Sequence, residues 1–188
     1  LLSSLILFVF TSSSNVNKLI LSDKFAIWLF SSTSEVTFDS KIFYACKSLS
    51  NINILKYICS LGASLDCVSI NEVKLGLLAG FSKENILYTP NCVDFNEILE
   101  AKELGVNINI DNISILEQFG NKFGNTYPVC IRLNPHIMAG GNFKISTGHV
   151  DSKFGISIHQ LRHIERIVKT TNLHVAGIHM HTGSEIKD

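Results

Sequence analysis

Lys47, in the run Phe43-Tyr44-Ala45-Cys46-Lys47-Ser48, is the side chain with the clearest chemical potential. A short β-prone stretch from Ile42 to Cys46 ends at this amine, and a polar Ser-Leu-Ser-Asn turn follows at once. A Schiff-base amine needs that setting, with rigid backbone beneath it and an open rim above, because it must be held and still be reachable by an aldehyde. A solvated lysine at a strand end is the bland alternative. Further polar residues close later apolar runs: Asp66, Thr89, Asp111, Arg132 and His181. Arg132, inside Val129-Cys130-Ile131-Arg132-Leu133, is costly in a buried strand unless paired, and Asp66 is the expected partner. The competing reading is a local surface pair contributing under about 1 kcal/mol. In His179-Met180-His181 a strand would point both imidazoles to one face. Such a pair can ligate a divalent metal if Asp66 or Asp111 joins it, or His181 can lie flat against an aromatic ring. The next residues, Thr182-Gly183-Ser184, offer backbone N–H groups and a hydroxyl to a phosphate oxygen.

The elements that must position these groups follow a regular rhythm from residue 41 onward. Strands are expected at Lys41 to Lys47, Ser64 to Ser69, Asn85 to Thr89, Asn107 to Ile110, Tyr127 to Leu133 and His174 to His181. Helices are expected between them, at Asn53 to Leu61, Asn71 to Ala79, Asp94 to Leu104, Ser114 to Phe123 and His159 to Lys169. Gly62, Gly80 and Gly105 serve as stops, and Asp94 as an N-cap. The strands are too apolar to have a wet face, which is the mark of parallel βα units covered on both sides. The reading is an α/β protein built as an incomplete (β/α)8 TIM-type barrel. About six strands are present, and a complete barrel of this kind takes about 250 residues. A doubly wound open sheet is the structural alternative, but no GxGxxG follows the first strand. In a barrel the carboxyl ends of the strands share one mouth, so the six polar residues above would meet there.

Composition narrows the function. The chain has 188 residues, 46% of them hydrophobic, and its 16 basic and 16 acidic side chains are interspersed. No basic stripe points to nucleic acid. Its five cysteines show no CxxC and no metal-ligand spacing, which fits reduced thiols in a cytoplasmic protein. Leu1 to Phe10 is apolar but has neither a basic flank nor a cleavage site, and is too short to span a bilayer. Residues 1–40 are read as a poorly defined N-terminal extension and 41–188 as a partial barrel domain, a fragment of something longer.

The segments FYACKSLSN, LDCVSINEV, NILYTPN, RLNPHIMAGG, ISTGHVDSKFGI and GIHMHTGSEI, in this order, resemble the N-terminal barrel of the diaminopimelate decarboxylases. These belong to the alanine-racemase-like (fold type III) pyridoxal-phosphate decarboxylases, as do ornithine and arginine decarboxylases. The resemblance runs from about Lys41 to Asp188. It implies pyridoxal 5'-phosphate as cofactor and decarboxylation of meso-2,6-diaminopimelate to L-lysine, the last step of lysine biosynthesis. By the same resemblance, Lys47 matches the lysine that carries the cofactor covalently, His181 the histidine stacked on its ring, and Ser184 a serine near its phosphate. Asp66 and Arg132 match polar residues around the lysine. Lys153, Phe154 and Gly155 match a loop-to-helix signature without an assigned chemical step. The resemblance further implies a small amino-acid substrate, no nucleic-acid or membrane partner, and a homodimer when full length. It also marks what this stretch lacks: a glycine-rich phosphate loop, an acidic partner for the pyridinium nitrogen, a Glu-Pro-Gly-Arg motif and a C-terminal β domain. The fragment alone is therefore expected to be inactive. Two alternatives stand beside this reading: a metal-dependent barrel hydrolase using His179 and His181, and a protein that binds pyridoxal phosphate without catalysis.

Overall fold

The computed structural model describes residues 5–8, 41–137 and 152–181. Eight strands lie in one sheet among these residues: β1 (Leu5–Phe8), β2 (Lys41–Ala45), β3 (Ser64–Cys67), β4 (Ile86–Tyr88), β5 (Asn107–Ile110), β6 (Val129–Asn134), β7 (Ile156–Ser157) and β8 (Val175–Met180). β2 to β6 pair in sequence order, each parallel to the last, and β8 runs parallel to β6. β1 pairs antiparallel with β2, and β7 pairs the last two residues of β6. The six parallel strands β2, β3, β4, β5, β6 and β8 form a curled part of a barrel, as expected. β1 and the two-residue β7 are elements the sequence reading did not contain.

Five helices alternate with these strands among the described residues: α1 (Ile52–Ser60), α2 (Ile70–Ala79), α3 (Phe95–Leu104), α4 (Ile113–Phe123) and α5 (Leu161–Thr171). Their starts are chemically determined. The side chains of Asn51, Ser69, Asp94 and Asn112 each accept hydrogen bonds from backbone N–H groups that the first helical turn leaves without partners. At Ser69 the motif is reciprocal, since Glu72 reaches back to accept from the N–H of Val68 at 2.7 Å. α3 ends where Gly105 turns left-handed at φ +78°, a conformation an L side chain would resist.

The two faces of the sheet differ sharply. Residues at alternate strand positions, such as Leu65, Ile86, Ile108 and Ile131, join Leu55, Val73, Ile98 and Leu116 of the helices in one apolar core. The opposite positions are equally buried but stand apart from that core: Phe43 and Ala45, Ser64 and Asp66, Leu87 and Thr89, Asn109, then Cys130, Arg132 and Asn134. The side-chain period of two along each strand makes this division. The barrel interior is therefore apolar at its base near β2 and increasingly polar toward β6 and β8.

Candidate active site

The interior face leads up to the carboxyl ends of the strands, where the expected groups meet. β2 stops at Ala45, two residues earlier than the sequence suggested, and Cys46–Ser48 make a 3-10 turn. Lys47 sits on that turn rather than in the strand, with its side chain exposed, while Cys46 beside it is fully buried. The turn is pinned by the Ser48 hydroxyl, which donates to the carbonyl of Ala45 at 2.8 Å. A buried neighbour and a pinned backbone thus present a reachable amine at the rim.

Asp66 and His181 feel the charge of Lys47, and Arg132 acts on both of them. The register pairs Ala45 with Asp66, which places the carboxylate next to the strand that delivers Lys47. Asp66 is buried, and its Oδ1 accepts a 2.7 Å hydrogen bond from the Thr89 hydroxyl. Burial raises this carboxyl, and the Thr89 bond and the Lys47 and Arg132 cations offset part of that rise, leaving it at about 6. The direct Asp66–Arg132 pair expected from the sequence gives way to this arrangement: Thr89 holds the carboxylate, and Arg132 acts on it through space. Arg132 is 7% exposed, and its guanidinium carbon lies 4.7 Å from the centroid of the Phe154 ring. Burial disfavours its charge, and Asp111, then Asp66, favour it. Asp111 in turn accepts a 2.7 Å hydrogen bond from Asn91.

The histidines take different roles. His179 is partnered in register with Arg132 across β6 and β8, is buried, and has its Nδ1 2.7 Å from the side-chain amide nitrogen of Asn109. If that amide donates, His179 is the Nε2–H tautomer. Burial first, then Arg132, His181 and Lys47, hold it well below the ordinary imidazole range. His181, one step past β8, is held down to about 4 by burial and by the Arg132 and Lys47 cations. Both imidazoles are neutral near pH 7. His179 and His181 do not fall in any cluster of potential ligand atoms close enough to share an ion among the described residues. Among the described residues, the group of potential ligand atoms close enough to share an ion is instead Cys46, Cys67 and Glu72, on the helix side of the sheet. Glu72 there is already occupied by its helix cap.

Lys47 on the turn after β2 and Arg132 on β6 therefore both act on Asp66 of β3 and on His181 just past β8. Ser184 lies outside the described residues. The sequence reading missed Asn109, Asn134 and Ser64, buried polar residues on the interior face. Ser64 Oγ and Asn109 Oδ1 have no hydrogen-bond partner among the described residues. The signal that could have found them is their period-two alignment with Asp66, Asp111 and Arg132. Asn91 and the stacking of Phe154 on Arg132 were likewise not legible, because both are contacts across long sequence separations.

These residues fit pyridoxal phosphate. An exposed primary amine can meet its aldehyde, and a neutral imidazole can face its ring. Ser64 Oγ and Asn109 Oδ1, on the same interior face, are buried polar atoms with hydrogen bonds still to be met, which a polar guest could satisfy. A family described as "Pyridoxal-dependent decarboxylase, pyridoxal binding domain" matches residues 27–188, starting ahead of the motif-level resemblance at Lys41. A curated diaminopimelate decarboxylase of Methanothermobacter thermautotrophicus is 34% identical over 148 residues, which is 79% of this chain and 35% of that protein. The Haemophilus influenzae diaminopimelate decarboxylase is 30% identical over 152 residues, covering 78% of this chain and 37% of the relative. Among solved structures, diaminopimelate decarboxylase from Helicobacter pylori complexed with L-lysine superposes with a TM-score of 0.71 at 30% identity, covering 79% of this chain and 39% of that one. The chain spans about a third of the length of the curated relatives it matches.

Proposed function

This chain belongs to the pyridoxal-dependent decarboxylases, and from that membership we propose that the protein carrying it removes one carboxylate from meso-2,6-diaminopimelate, giving L-lysine and carbon dioxide. The observation that carries the reading is that Lys47 and His181, just past β2 and β8, and Asp66 and Arg132, on β3 and β6, act on one another at the carboxyl ends of the strands, with the amine exposed and the others buried or partly buried. Lys47 would hold the cofactor through its aldehyde. His181, neutral and partly buried, would face the cofactor ring and would not act as an acid at neutral pH. Arg132 keeps a cation at the mouth, where substrate carboxylates and the cofactor phosphate both carry negative charge. Asp66, fixed by Thr89, balances that cation. Ser184 completes the set as a phosphate ligand. Pyridoxal phosphate, when bound, supplies the electron sink that accepts the pair left by departing carbon dioxide.

Support for the substrate comes from the relatives named for diaminopimelate and from the solved relatives complexed with L-lysine. The metal-dependent hydrolase alternative finds no support among them. We place the barrel domain from about Lys41. No helix among the described residues is long and apolar enough to cross a membrane, and all five cysteines are free thiols. Both are compatible with the cytoplasmic homodimer we propose.

The test is to reduce the full-length protein with borohydride in the presence of pyridoxal phosphate, digest it and map the label. The pyridoxyl group is expected on the peptide carrying Lys47, and Lys47→Ala is expected to abolish both label and carbon dioxide release. A label on another lysine, or turnover surviving in Lys47→Ala, would overturn the reading.

A further inference from the structure

The turn at residues 153–155 lies against Arg132 and its strand, and it takes no part in the function proposed above. Phe154 places its ring 4.7 Å from the Arg132 guanidinium, and the Lys153 amine lies 5.3 Å from the same ring. Gly155 has φ +79°, and a Cβ there would come within 2.9 Å of the Asn134 nitrogen and the Leu133 carbonyl carbon, and 3.2 Å of the Arg132 carbonyl oxygen. Those are backbone atoms of a central strand and cannot yield, so only glycine lets the turn lie directly on β6. Asn91 then ties the turn to the rim: its amide donates to Asp111 at 2.7 Å and to the Lys153 carbonyl at 3.3 Å.

The consequence is geometric. Asp111 is the leading attractive charge on Arg132, and Asn91 holds Asp111 and the turn together. Phe154 supplies a wall against which a flat guanidinium can rest. Arginine has a long, flexible stem, and without such a wall its fork would sample several orientations. We propose that Phe154 is a positioning residue for the cofactor site. Stacked on Arg132, and seated by Gly155 and Asn91, it fixes the direction in which that cation is presented to the rim shared by Lys47, Asp66 and His181. The inference rests on the reading of that rim as the pyridoxal phosphate site, and it gives the Lys153-Phe154-Gly155 signature a physical role.

A double-mutant cycle in the full-length protein tests it, read by titrating pyridoxal phosphate and following the absorbance of the lysine-bound cofactor. Phe154→Leu keeps an apolar side chain but removes the ring, and is expected to weaken binding about five- to thirtyfold, the range of a partly desolvated cation–π contact. Phe154→Trp is expected to restore it, which a purely structural role for the phenyl volume would not. In an Arg132→Gln background, Phe154→Leu is expected to change binding less than twofold, because the group it orients is gone. Equal losses in both backgrounds, unaltered binding in Phe154→Leu, or failure of tryptophan to restore it would each overturn the proposal while leaving the Lys47 assignment standing. If Phe154→Leu does not fold, Phe154→Met takes its place with the same outcomes. Absence of any cofactor band in the unsubstituted protein would instead sink the reading of the rim, and this inference with it.

Discussion

Asp66 illustrates how one carboxyl can serve a charged site and oppose folding at the same time. It is buried, and its proton is held to about 6, against 3.8 for an unperturbed group. A carboxyl with a raised native pKa binds its proton more tightly in the folded state. Its favourable contribution is therefore complete below pH 3.8 and is lost as pH rises through about 6. Above that, the buried carboxylate costs on the order of 3 kcal/mol relative to the neutral acid. Asp66→Asn preserves the shape and removes the titration. In the cofactor-free protein, the stability of the variant relative to the parent is expected to rise between pH 4 and pH 7 by about that amount. Melting measured at both ends of the window checks it, and a pH-independent difference would contradict it. His181 titrates in an overlapping window with the opposite sign, since its proton affinity is depressed from 6.5 to about 4 and its contribution is lost as pH falls. It is present in both proteins, so the comparison largely cancels it.

At the scale of elements, packing decides where propensity alone would mislead. Gly120 lies in the middle of α4, where glycine ordinarily costs about 1 kcal/mol relative to alanine. A Cβ there, however, would stand 2.9 Å from the Cβ of Thr171 at the end of α5, and closer still to its hydroxyl. The hydroxyl can rotate, but the Cβ cannot, so the helices must part. Overpacking costs about 1–3 kcal/mol, which outweighs the propensity gain. Gly120→Ala is expected to lower the melting temperature, and the same change in a Thr171→Gly background is expected to raise it. The same sign in both backgrounds would show that the α4–α5 contact is not the cause. Such pairings explain what was legible in the chain. Period and caps place the five helices and six parallel strands within one or two residues, because Asp94 and Gly105 act locally. β7 was missed because two residues make no pattern, and it exists only by pairing with Leu133 and Asn134. Lys47, Asp66, Arg132 and His181 stood out because charge at the end of an apolar run is conspicuous. Asn109 did not, since an amide inside Asn107-Ile108-Asn109-Ile110 looks like ordinary alternation until His179, seventy residues on, closes against it.

Among the described residues the sheet is an arc that begins at β1 and ends at β8. β1 pairs the far side of β2, whereas β8 has β6 on one side and, among the described residues, no strand on the other. The outer face of β8 is open as well: Ile178 is 54% exposed, although its register partner Ile131 is buried in the core. Parallel strands are stable when covered on both faces and paired on both edges, so β8 is where this arc can recruit another chain. Electrostatics offers little resistance, because the net charge is zero and the isoelectric point is about 7.2, leaving no self-repulsion near neutral pH. A polypeptide of these 188 residues by itself is therefore expected to self-associate at pH 7 and to melt irreversibly, with association weakening at pH 9 as net charge grows. Sedimentation and repeated thermal scans would show it. A monomer with a sharp, reversible transition at concentrations on the order of tens of micromolar would mean that the exposed edge and Ile178 contribute less than sheet energetics require. Replacing Ile178 with lysine separates the two causes: it places charge on the open face without touching the backbone edge. Association that survives this change belongs to the unpaired strand, and association that disappears belongs to the apolar face.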